Sequence, residues 1–165
     1  MRAAVKGRWL VIVVALCACV AFAMSVQGGR WWVIGDTEVG PFGAKRCFDD
    51  GAGSIACIPA KLNWLGAGER WMRIGMGTWA GGLISAFMLV VLSAAIAAKR
   101  IPKLAAKTVL VSVVTAGLAG GLFALQFPRA EFPAAEVGRG TFLFVVAIAL
   151  GITSAILVLR AKPAT

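Results

Sequence analysis

The stretch IGMGTWAGGLISAFMLVVLSAAIAA, Ile74 to Ala98, decides the architecture. It carries no charge, and it is longer than the roughly 20 apolar residues a helix needs to cross a hydrocarbon core about 30 Å thick. Three more runs share its character: WLVIVVALCACVAFAMSV (Trp9 to Val26), TVLVSVVTAGLAGGLFALQF (Thr108 to Phe127) and TFLFVVAIALGITSAILVL (Thr141 to Leu159). Open strands are not viable alternatives, because lipid cannot satisfy unpaired backbone groups. Of the 165 residues, 60% are hydrophobic and 15% charged, against about 25% charged in a soluble domain. The sequence therefore predicts one membrane domain, 1–165, with spans at 9–26, 74–98, 108–127 and 141–159. Outer loops fall at 27–73 and 128–140, an inner turn at 99–107 and an inner tail at 160–165.

The first run also invites a cleavable reading. Ala21-Phe22-Ala23 resembles a signal-peptidase site, and Leu16-Cys17-Ala18-Cys19 weakly resembles a lipobox. Its apolar length exceeds the 7–15 residues of a usual signal h-region, which favours a retained helix.

Charge placement orients the spans. Arg2, Lys6, Arg8, Lys99, Arg100, Lys103, Lys107, Arg160 and Lys162 form three acid-free segments at one end. All seven acids lie toward the other end with the remaining eight cations. The positive-inside rule then puts both termini in the cytoplasm and the long loop outside a plasma or inner membrane. The net charge of +10 is thereby read as topology, and nucleic acid is not expected as a partner.

The 27–73 loop is the one segment long enough for an extramembrane structure. Arg30 to Ile34, Ala44 to Phe48 and Ser54 to Ile58 read as short strands separated by Gly, Pro and Asp, which predicts a small antiparallel sheet. Cys47 and Cys57 flank the turn in CFDDGAGSIAC and would face an oxidising compartment, where disulfides persist. A staple across the turn is the expected reading. A thiol-redox site lacks its C-x-x-C spacing. Zinc lacks ligands in a chain without histidine. An EF-hand lacks its alternating acids, so Asp49 and Asp50 read as solvated turn residues. The fold class expected is thus an all-α membrane protein: a four-transmembrane-helix bundle with a disulfide-stapled antiparallel β-sheet in its first extracytoplasmic loop.

This layout resembles the claudin superfamily, which includes peripheral myelin protein and the stargazin-type channel subunits. The residues that carry the resemblance are Trp31 or Trp32 early in the loop, the nine-residue interval between Cys47 and Cys57, and Arg70 or Arg73 before the second span. The family's Gly-Leu-Trp is replaced by Gly40-Pro41-Phe42, with four residues rather than two before Cys47. The resemblance implies a left-handed four-helix bundle bearing an outer sheet, and work in adhesion, barrier formation or channel accessory roles.

Function classes narrow further. No charge lies deep in a span, which argues against a pump or coupled transporter. The absence of histidine removes the commonest general base and metal ligand. No enzyme activity, cofactor or metal is expected. Small residues at helical spacing, Gly77 and Gly81, Gly117 and Gly121, and Gly151, predict close helix packing within the bundle or against a partner helix. The loop aromatics Trp31, Trp32, Phe42, Phe48 and Trp64 are the expected partner-facing surface. The expected partners are the lipid bilayer and other membrane proteins or further copies of the chain. A small channel or a membrane thiol-redox protein is the alternative.

Overall fold

The structure is a computed structural model that describes residues 2–28, 30–49, 51, 53–60, 68–98 and 102–161, with the side chains of 2–6, 68 and 69 excepted. Four helices form the body: α1 (Arg2–Gln27), α2 (Gly68–Ala97), α3 (Lys103–Leu125) and α4 (Arg139–Arg160). All four are long and apolar enough to cross a membrane. Each helix packs on two neighbours, so that α1 and α3 both lie between α2 and α4.

The buried faces show why these sequences pack. In α4 the inward residues are Gly140, Phe144, Ala147, Gly151, Ser154, Ala155 and Val158. In α3 they are Ala106, Val109, Val113, Ala116, Gly120 and Phe123. Steps of three and four keep one seam facing the partner helices, and the seam is built largely from small residues. A Cβ at Gly82 would lie 2.6 Å from Val26, and one at Gly151 would lie 3.0 Å from Val113. Such approach supplies the dispersion contacts that hold apolar helices together where lipid removes the hydrophobic driving force. The buried hydroxyls of Thr78, Ser93 and Ser154 donate to carbonyls of their own helices. They act as small spacers whose polarity is satisfied locally.

Each helix begins before its apolar span. α2 begins at Gly68, six residues before its apolar run, and α3 begins at Lys103, inside the expected inner turn. Hydropathy marks what lipid must cover, whereas Arg70, Arg73, Lys103 and Lys107 are good helix formers that extend each helix beyond it. The extra turns of α2 carry Trp71 up beside Phe123 and Phe127.

At that end sits a five-stranded antiparallel sheet in the order β4-β3-β2-β1-β5. Its strands are β1 (Trp32–Ile34), β2 (Thr37–Gly40), β3 (Gly43–Asp49), β4 (Ile55–Ala60) and β5 (Glu136–Val137). Gly35, at φ 60°, opens the two-residue β1–β2 turn, a position whose hairpin geometry needs positive φ. Three features depart from the sequence reading. β2 is a strand that the sequence reading did not include, entered through the Gly35-Asp36 turn. β4 runs on through Pro59, which is tolerated because β4 is an edge strand. The sheet is not confined to the first long loop: β5 comes from the 128–140 connection and pairs with β1, Trp32 to Val137 and Val33 to Glu136. Two residues carry no periodicity, so only the pairing reveals that strand.

The two expected G-x-x-x-G pairs divide in the structure. Gly81 touches Ala116, with an added Cβ at 3.4 Å, and Gly117 faces Ile148. Gly77 and Gly121 are exposed, with nothing near an added Cβ. Gly120, which belongs to neither pair, is the one pressed against the Phe144 ring. Gly120→Ala should therefore destabilise the bundle by about 1–3 kcal/mol through overpacking. Gly77→Ala and Gly121→Ala should leave stability unchanged or raise it by up to about 1 kcal/mol. Unfolding in mixed micelles gives both readings.

Candidate interaction surface

The sheet is fastened to the bundle by aromatic rings. Trp31, 1% exposed, lies between Phe123 and Phe144, with ring centroids at 5.5 and 4.9 Å. Its indole Nε1–H donates to the Ser25 carbonyl at 3.1 Å, and its backbone N–H donates to the Val39 carbonyl at 2.9 Å. The Trp31 carbonyl accepts from the Gly138 N–H at 2.8 Å and from the Thr141 hydroxyl at 3.1 Å. Trp32, 2% exposed, stacks on Phe127 at 4.2 Å under the guanidinium of Arg129. Trp71 stacks on Phe123 at 4.5 Å, and its Nε1–H donates to the Phe123 carbonyl.

Trp31 and Trp32 are accordingly not part of a partner-facing surface, contrary to the sequence reading. Their rings are the joint between sheet and helices. An aromatic in a loop reads as exposed from sequence, and only the approach of Phe123, Phe127 and Phe144 from α3, its C-terminal edge and α4 buries these two. Phe42 and Phe48 are exposed, Phe42 at 66% and tilted over Trp79 at 4.9 Å. Trp64 lies outside the described residues, as do Asp50, Lys99, Arg100 and Lys162.

Cys47 and Cys57 are directly paired across β3 and β4 and form a disulfide, with Cα atoms 4.1 Å apart. Asp49 at the end of β3 accepts the Gly51 N–H at 2.9 Å, so this acid shapes the turn. Around the staple, Phe48 of β3 and Ile58 of β4 are exposed on one face and Ile55 of β4, at 72% exposure, on the other.

Charges not expected from the sequence stiffen the middle of the sheet. Glu38 is buried on β2, ion-paired with Arg30 and lying 3.2 Å from Lys45 Nζ. Its placement follows from register, which puts Glu38 opposite Lys45. An acid in an otherwise uncharged Thr37–Gly40 segment, with basic residues eight before and seven after it, was the available signal. A cleft of ≈ 430 Å³ lies beside this pair, lined by Gln27, Glu38, Phe42, Lys45, Cys57 and Pro59 among others. At the first turn, the Arg46 guanidinium donates to Asp36 and holds its carboxyl below the ordinary aspartate value. Among the described residues no cluster of His, Cys, Asp or Glu could hold a metal ion.

No protein-family model matches the chain, and no curated protein matches it.

Replacing Cys47 and Cys57 by serine should cost about 3 kcal/mol in the chain-entropy account of a ring this short. The loss should be local, read as faster amide exchange across β3 and β4 with the helices unchanged. The Asp36–Arg46 pair has its own signature. A carboxyl depressed in the folded state stabilises at pH above its unfolded value, and that contribution is lost as pH falls through the folded one. Acidification below the usual aspartate range should loosen the β1–β2 turn, and Asp36→Asn should abolish that pH dependence of amide exchange.

Proposed function

We propose that the chain is a non-catalytic integral membrane protein that binds other membrane proteins or copies of itself, as a claudin-like scaffold or adhesion protein or as the accessory subunit of a membrane complex. Both termini lie in the cytoplasm and the sheet outside, in a plasma or inner membrane. The observation that carries the reading is the β3–β4 edge. A disulfide-stapled pair of strands exposes Phe48 on β3 and Ile55 and Ile58 on the edge strand β4. Apolar side chains on an exposed edge strand are a ready pairing surface, which monomeric proteins normally blunt with charge. The four-helix bundle carrying an outer sheet is the arrangement that the claudin resemblance implies, which supports that part of the proposal.

Gentle solubilisation followed by identification of co-eluting chains tests the binding role. The wild type should elute as a complex or oligomer, and Phe48→Ser with Ile58→Ser should release it as a folded monomer. Recovery of only monomeric wild type from several mild detergents would sink the proposal. The orientation is checked separately: after reduction, Cys47 and Cys57 should react with an impermeant maleimide added outside intact cells. Reaction from the cytoplasmic side alone would reverse the topology.

A further inference from the structure

We propose that the groove between the sheet-bearing ends of α1 and α4 binds an anionic phospholipid, its phosphate held at Arg30 and Arg139 and an acyl chain lying along the apolar half. The groove encloses ≈ 410 Å³. Its chemistry is graded along the helix axes. Ala23 and Met24 of α1 and Leu143 of α4 line the part nearer the middle of the bundle, and Gln27, Arg30 and Arg139 line the part nearer the sheet. Met24 is more than half exposed beside it. A phospholipid has this same division, with a charged head above an apolar tail.

The backbone brings the segments that carry the two arginines side by side at the groove. The Gly140 N–H donates to the Arg30 carbonyl at 2.7 Å, and the Gly138 N–H donates to the Trp31 carbonyl at 2.8 Å, so residues 30 and 139 sit on hydrogen-bonded neighbouring segments. An added Cβ at either glycine would strike Arg30 backbone atoms, so this contact admits no spacer. Local carboxylates do not balance the charge. Glu38 is shared between Arg30 and Lys45, and among the described residues no carboxylate pairs with Arg139. Arg139 thus adds a cation, with no carboxylate of its own among the described residues, to the groove that Arg30 also lines. Guanidinium groups match phosphate oxygens through paired N–H donors, and the apolar half of the groove favours a lipid over a free anion.

The inference rests on the membrane-spanning reading above. The test is native mass spectrometry of the chain released from nanodiscs holding equal phosphatidylglycerol and phosphatidylcholine. The wild type should retain the anionic lipid preferentially, and Arg139→Gln should cut that preference about fivefold, the scale of one basic residue's attraction at an anionic surface. Arg139→Gln should melt like the wild type in pure phosphatidylcholine, which separates lost binding from lost folding. A preference unchanged in Arg139→Gln, or one abolished by Lys103→Gln with Lys107→Gln at the opposite end, would overturn the site. A melting shift from inorganic phosphate as large as that from phosphatidylglycerol would make it an anion site with no lipid component, and would equally overturn the proposal. Failure of the chain to enter nanodiscs at all would be a different result, sinking the membrane-spanning reading itself.

Discussion

Trp31 joins every part of the molecule that has to be held in register. Its indole ties to the end of α1, its N–H to β2, its carbonyl to the residues that open α4, and its ring fills the space between α3 and α4. The arrangement demands room, which small residues supply. A Cβ at Gly140 would lie 2.8 Å from the indole, and one at Gly75 would lie 2.7 Å from the Pro41 carbonyl and 2.8 Å from Phe123. Bulky rings and missing side chains are two halves of one packing solution. An interior packed to crystal-like density cannot take one without the other.

The sheet depends on that joint because it is too small to own a core. Its longest strand has seven residues and its shortest has two, and isolated small sheets are marginal in water. Two devices compensate. At one end the aromatic joint seats β1 and β2 on the helices. At the other the Cys47–Cys57 bond limits the freedom of β3 and β4 before folding. Between them, Glu38 gathers Arg30 and Lys45 in a half-dry setting where opposite charges attract more strongly than in water. The outcome is a rigid platform whose apolar edge is held in place and left uncovered by the described residues. For the binding role proposed above, a preordered surface would lose less entropy on association.

Legibility from sequence followed the range of the interaction. The four helices were legible because hydropathy is summed over about 20 residues and needs no partner. The Cys47–Cys57 staple was legible because its two ends lie ten apart around a turn-forming segment. The facing of single residues was not. Trp31 and Trp32 look like loop aromatics, yet they are buried by rings contributed from about 90 to 110 residues further on. Gly77 and Gly121 fit a packing motif and face outward, whereas Gly120 fits Phe144. A motif records spacing along one helix, but contact depends on the rotation of two.

By itself the sequence determined that four helices are apolar enough to span a membrane, that the longest connection between them carries strands, and that two cysteines close its main turn. These are local or additive properties, and they survive any rearrangement of distant parts. Only the tertiary structure decided that β5 completes the sheet from the other connection, that the tryptophan pair is a joint rather than a surface, and that Arg30 and Arg139 line one groove. Each of those depends on backbone hydrogen bonds and ring contacts between segments far apart in the chain, whose energies exist only once the helices have been brought together.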